Sequence, residues 1–172
     1  MKILIIGFLG AGKSTLAYEI NKRFHLPRLN LDELHRNPQN GEYRSQRDSI
    51  ARLEAFLKTH SDWVMEGCQK YLYEKTTPDF IIDMRINRFL AIWRFTRRFM
   101  KAKKLIGQNI DKNLPVQAYH YRKITLNKIA DWDKANKKIN TEISDFLKTT
   151  TAQIIKCHGK KEYENIFKEI SK

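Results

Sequence analysis

Apolar positions along the chain gather in five short runs separated by longer stretches of mixed polarity. Ile3 to Ile6 is unbroken and mostly β-branched, the pattern of a strand buried on both faces. Runs at Pro27–Leu31, Trp63–Met65, Phe80–Ile82 (continuing into Asp83 and Met84) and Thr151–Lys156 predict four more strands. Between them the spacing turns helical. Lys13 to Phe24 reads as the first helix, and Tyr43 to Thr59 as another, with Ile50, Leu53 and Leu57 at i, i+3 and i+7 and Phe56 widening the stripe. Phe89, Ile92, Trp93, Thr96 and Met100 form the buried stripe expected of a third helix. A long Lys-rich helical region with some Asn follows from about Val116 to Leu147, and a short helix from Glu162 to Ile170 closes the chain. Asn37–Gly41 and Gly107–Pro115 are polar interruptions that read as loops. Strands alternating with helices predict an α/β fold with a parallel sheet covered on both faces, because parallel crossovers need a covering helix.

The junction between the first strand and the first helix carries the sharpest chemistry. Gly7, Gly12, Lys13 and Ser14 fit G-x-x-x-x-G-K-[ST], a phosphate-binding loop. Gly7, Gly10 and Gly12 free the backbone to turn successive N–H groups toward an anion. Lys13 offers a point charge for the β- and γ-phosphates, the Ser14 hydroxyl can ligate Mg²⁺, and the helix behind them points its positive end at the same place. Gly7, Gly10, Ala11, Gly12, Lys13, Ser14 and Thr15 are therefore the candidate nucleotide-binding set.

Ligands of open parallel sheets collect at the carboxyl ends of the strands. Asp32, at the end of the second strand, either orients a substrate hydroxyl or caps a short helix beginning at Glu33. His35 shares its face if the stretch is helical, as a candidate substrate contact. Glu66 and Gly67 end the third strand. There a carboxylate either holds the Mg²⁺ shell through water, or organises the acceptor, or pairs with a nearby basic side chain. Gly67 would let backbone approach a ligand closely. Arg44 and Arg47, in the first turns of the next helix, either meet an acceptor phosphate or are solvated.

With 33 basic and 19 acidic residues the formal charge is +14, which favours anionic partners: nucleotides, and also nucleic acid. The excess is concentrated. From Met84 to Ile110 there is no acidic residue, and Arg94, Arg97, Arg98 and Lys101 stand at i, i+3, i+4 and i+7. Like charges so aligned repel, and a bound polyphosphate would relieve them; the alternatives are a solvated face or one for a nucleic-acid backbone. Tyr119, Tyr121 and Trp132, interleaved with Lys, serve either core packing or base stacking. A hydrophobic content of 41% in 172 residues suits one globular domain, 1–172. No apolar stretch reaches membrane-spanning length, and the two cysteines, Cys68 and Cys157, lack metal-ligand spacing, so a cytoplasmic protein with free thiols is expected.

The whole chain resembles the P-loop kinases of the adenylate-kinase type. More narrowly it is similar to the small bacterial proteins named DNA topology modulation protein, regarded as adenylate-kinase-related. The residues that carry this are Gly7-Phe-Leu-Gly-Ala-Gly-Lys-Ser14, Leu31-Asp-Glu-Leu-His35, Trp63-Val-Met-Glu-Gly67 with Tyr71 beyond, and Trp93-Arg94 with Arg97-Arg98. The resemblance implies strand order 2-3-1-4-5, a small helical lid at about 94–115, and transfer of the γ-phosphoryl of ATP, with Mg²⁺, to a nucleoside or nucleoside monophosphate. It implies that Asp32 stands near the acceptor, that Arg94, Arg97 and Arg98 are lid arginines, and that Gly159 and Lys160 lie where adenine rests on backbone. Glu66 stands where that family usually has Asp, which moves the charge by about one methylene. The other readings of the same residues are an ATP-binding nucleic-acid-binding or regulatory protein, and a plain ATPase.

Overall fold

A computed structural model describes residues 1–37, 42–87, 89–94, 96–97, 100 and 127–171, with backbone only for 127–133. Five parallel strands, β1 (Lys2–Gly7), β2 (Arg28–Asn30), β3 (Trp63–Glu66), β4 (Phe80–Met84) and β5 (Gln153–Cys157), form one sheet in the order β2-β3-β1-β4-β5. That is the expected order. β1 is central and apolar on both faces: Ile3 and Ile5 join one core, Leu4 and Ile6 the other.

The first core is covered by α1 (Lys13–Phe24), through Leu16, Ala17 and Ile20, and by the C-terminal helix Tyr163–Ile170, through Ile166, Phe167 and Ile170. On the other face lie α3 (Gln46–Thr59), through Leu53, and α4 (Lys70–Tyr73), through Leu72 and Tyr73. The long helix Asn127–Thr149 joins them, its Ile139, Ile143, Phe146 and Leu147 continuing the stripe. The short helix α2 (Leu31–His35) sits on this side too, anchored by the buried Leu31.

Several expected boundaries move, each for a local reason. The second strand is only three residues long, because Asn30 caps α2: its Oδ1 accepts from the backbone N–H of Asp32 at 2.9 Å. α3 begins at Gln46 rather than near Tyr43, since Ser45 is its cap and accepts from Asp48 N–H at 3.1 Å, while Tyr43 instead bridges Arg36. α4 was not anticipated. The buried stripe expected at Phe89, Trp93 and Met100 is corrected: Phe89 is 79% exposed, Trp93 56% and Met100 61%. The helical stretch 89–94 turns Ala91 inward instead, and its backbone comes so close to the phosphate loop that a Cβ at Gly10 would stand 3.0 Å from Ala91 O. Arg98, the rest of the expected lid apart from Arg94, Thr96, Arg97 and Met100, the Gly107–Pro115 loop, and Tyr119 and Tyr121 lie outside the described residues, as does the Trp132 side chain. Among the described residues no helix is long and apolar enough to cross a membrane.

Candidate nucleotide and acceptor site

Most of what the sequence marks as chemical hangs from the carboxyl ends of β1, β2 and β3. β1 ends at Gly7, whose φ of +143° and contact with β4 admit no side chain: a Cβ there would stand 2.2 Å from the carbonyl oxygen of Met84. The loop then turns into α1, and Lys13, 7% exposed, folds back into it. Its Nζ donates to the carbonyls of Gly7 and Phe8, each at 3.1 Å. Burial opposes its charge, but Cys68, Asp32 and Glu66 around it outweigh burial and raise its pKa above 10.5. Burial pushes the Cys68 thiol up as well, which favours its neutral form.

Glu66 is the last residue of β3 and 1% exposed. Burial raises its pKa; Lys13, the nearby Ser14 hydroxyl and Arg28 work the other way. Arg28 reaches it from β2, Nη2 to Oε1 at 3.3 Å. The pairing foreseen as the plain alternative is thus present, together with the contact to Ser14. A hydroxyl and a carboxylate side by side are hard oxygen donors of the kind Mg²⁺ takes. Among the described residues no group of three or more His, Cys, Asp or Glu could hold a metal unaided, so an ion here would draw its remaining oxygens from water and phosphate.

Asp32 is not a cap. Asn30 fills that role, which leaves the Asp32 carboxylate exposed in the first turn of α2, bonded by Gln69 Nε2 at 3.3 Å. Gly67 makes the approach possible: a Cβ there would stand 2.8 Å from the Cβ of Leu31, at φ +157°. One turn on, His35 Nδ1 meets the Tyr71 hydroxyl at 2.7 Å, and its ring lies against Tyr43 at 5.0 Å between centroids. Burial and the neighbouring Arg36 lower the His35 pKa against the pull of Asp32, which favours the neutral imidazole. Arg44 follows neither of its expected roles. Its Nη1 donates to the carbonyls of Glu33, Leu34 and Arg36 at 2.7, 3.2 and 2.7 Å, closing the end of α2. Arg47 is exposed in the first turn of α3.

On the opposite flank, Arg94 reaches the loop, with Nη1 3.5 Å from Gly10 O and 3.2 Å from Ala11 O. Arg97 is exposed and lies over the Trp93 ring, 5.3 Å from its centroid. Gly159 stands in open space after β5, capping the turn Lys160–Glu162, with Lys160 exposed. From this end it is Tyr163, three residues after the predicted pair, that comes near: its hydroxyl lies 3.8 Å from where a Gly12 Cβ would stand.

Arg28, Cys68, Gln69 and Asn136 join the site without having been anticipated. Cys68 Sγ donates to Gly7 O at 3.4 Å, and Asn136, on the long helix, accepts the N–H of Leu9 at 3.0 Å. For Asn136 a signal existed, since it and Asn140 extend the stripe of Ile143 and Leu147 at helical spacing, where apolar residues belong. A depression of about 360 Å³ lined by Phe80, Gln153, Asn165, Lys168 and Glu169 is at the amino ends of β4 and β5, the far end of the sheet from this chemistry.

No family model matches the chain, and no curated protein sequence does. Solved structures do. The chain is similar to a deoxyadenosine kinase from M. mycoides with bound dCTP, at 18% identity, with 99% of each chain covered and a TM-score of 0.58. A structure of deoxyadenosine kinase from M. mycoides with the products dCMP and a flexible dCDP gives 16%, 99% of each chain and 0.55. An uncharacterised protein from Eubacterium ventriosum gives 14%, 99% of each and 0.53. At such identities the likeness is one of fold: this chain has a P-loop kinase fold.

Proposed function

We propose that the chain, acting as one domain, transfers the γ-phosphoryl of ATP to a nucleoside or nucleoside monophosphate. The observation that carries this reading is the convergence of Lys13, Ser14, Glu66 and Asp32 on one end of the sheet, with Lys13 enclosed by the phosphate loop. In phosphoryl transfer the protein's contribution is positioning and charge neutralisation. Lys13 neutralises the phosphate oxygens, and Arg94 adds a second cation from the other flank. Asp32 holds the acceptor hydroxyl in line and accepts its proton. Gly10, Ala11, Gly12 and Thr15 supply backbone around the phosphates, and Gly159 and Lys160 border the adenine. His35 and Gly67 line the acceptor side; Arg44 shapes it indirectly, by fixing α2, and Arg47 faces it from solvent. Ser14 and, through water, Glu66 would hold Mg²⁺, which would supply charge neutralisation at the phosphates.

The deoxyadenosine kinase likeness supports a nucleoside as acceptor by analogy of fold. The narrower kinship with DNA topology modulation proteins rests on the motifs alone. The test is ADP release from ATP and Mg²⁺ across a panel of nucleosides, nucleoside monophosphates and small sugars, against Lys13→Ala. Acceptor-dependent release that vanishes in the variant is expected. The charge of +14 favours a second reading, a nucleotide-gated nucleic-acid binder. Salt-steep DNA binding with no acceptor-dependent release would select it.

A further inference from the structure

The long helix Asn127–Thr149 is apolar toward the sheet at Ile139, Ile143, Phe146 and Leu147. Toward its start the same stripe turns polar, at Asn140 and then Asn136. The two amides differ in how they are satisfied. Asn140 Oδ1 accepts from Arg85, whose Nε also bonds both carboxylate oxygens of Asp83 at 2.9 Å, so its oxygen belongs to a closed network. Asn136 is 6% exposed, its Oδ1 accepts from Leu9 N–H at 3.0 Å, and its Nδ2 is buried with no hydrogen-bond partner among the described residues.

The orientation of that amide is dictated by chemistry. A backbone N–H can only donate, so the oxygen must face Leu9 and the NH₂ group must face away from it. A buried donor left unpaired is a costly defect, and a leucine in its place would complete the apolar stripe without one. The defect sits beside the phosphate loop, on the face of the sheet that also carries α2 with Asp32. We propose that Asn136 is a residue of the phosphate site: Oδ1 fixes the loop at Leu9, and Nδ2 donates to an oxygen of the terminal phosphate of the bound nucleotide. This rests on the kinase reading above, in which the terminal phosphate is the one turned toward the acceptor side. Asn136 thereby ties the long helix to the group being transferred.

Two measurements test it on the full chain. In ¹⁵N-labelled protein, the side-chain amide protons of Asn136 should shift and exchange more slowly with the β,γ-imido analogue of ATP and Mg²⁺, and should stay in place with ADP and Mg²⁺. Asn136→Asp keeps the acceptor for Leu9 and removes the donor. It should bind the imido analogue about tenfold more weakly, the effect of one lost bond to a charged acceptor, and ADP within about twofold of the parent. Amide protons that do not respond to the bound analogue, or equal losses for both nucleotides, overturn the proposal while leaving the kinase reading intact. If Asn136→Asp does not fold, the resonances of the parent protein decide alone. Binding of neither nucleotide, or binding indifferent to Lys13→Ala, overturns the kinase reading and this proposal with it.

Discussion

Arg28 and Glu66 form an ion pair between the edge strand and its neighbour, Nη2 to Oε1 at 3.3 Å, with the glutamate almost wholly buried and the arginine partly open to water. The Ser14 hydroxyl lies close enough to the same carboxylate to favour its charged form. Edge strand β2, only three residues long, therefore does more than extend the sheet: it keeps a charge in place under the phosphate loop.

Removing Arg28 should strand that charge. Arg28→Met is expected to lower folding stability by about 1–3 kcal/mol, the cost of a buried charged group left without its partner. Adding Glu66→Gln should recover part of the loss. A double-mutant cycle by urea denaturation measures the coupling; strict additivity of the two changes would show that the pair is not coupled.

The two glycines with the tightest surroundings should respond differently. At Gly7 the obstacle is β4 backbone, so Gly7→Ala should yield no folded protein detectable by circular dichroism. At Gly67 it is the Cβ of Leu31, fixed to the backbone of the short helix α2, so that helix rather than a central strand must shift. Gly67→Ala should fold with a loss of about 2 kcal/mol and, by pushing α2 and Asp32 outward, lower kcat far more than nucleotide affinity. Equal effects of the two substitutions on folding would contradict this distinction.

His35 makes stability depend on pH. Its folded pKa lies below the ordinary 6.5, so the unfolded chain binds the proton more readily. The contribution is complete above about 6.5 and is lost as pH falls from there through the folded value. Denaturation midpoints at pH 7.5 and 5.5 should differ more for the parent than for His35→Gln. A variant with the same slope as the parent would remove His35 from the account.

Arg94 bridges two loop carbonyls, Gly10 and Ala11, with a guanidinium nitrogen. Arg94→Lys keeps the charge and loses the planar fork. It should leave the melting temperature nearly unchanged and reduce kcat about tenfold or more, because the loss falls on charge developing during transfer. An unaltered kcat would mean that the contact is structural.

Much of this was legible in the sequence because it is written locally. The run Ile3–Ile6 and the glycines after it place a buried strand and a phosphate loop without reference to anything distant, and the alternation of strands and helices gives the layers. The strand-end position of Asp32 was legible too, but whether it capped a helix was not. That turned on Asn30, whose amide oxygen accepts the Asp32 N–H and starts the helix two residues earlier, at Leu31. Residues that act through long-range packing escaped. Arg28 reaches Glu66 across 38 positions and Asn136 reaches Leu9 across 127. The stripe at Phe89, Trp93 and Met100 misled because helical spacing identifies an apolar face but not what it faces. There Ala91 is the residue buried beside Gly10, and Phe89, Trp93 and Met100 are exposed.

The most direct test of the central claim follows the phosphoryl group itself. ATP labelled in the γ-phosphate is incubated with Mg²⁺ and deoxynucleosides or nucleoside monophosphates, using the parent chain, Lys13→Ala and Asp32→Asn, and label on the acceptor is counted. Label should appear on one acceptor class with the parent, fall to background with Lys13→Ala, and drop by about two orders of magnitude or more with Asp32→Asn. Label that passes only to water in all three proteins, or transfer that survives Lys13→Ala, would contradict it.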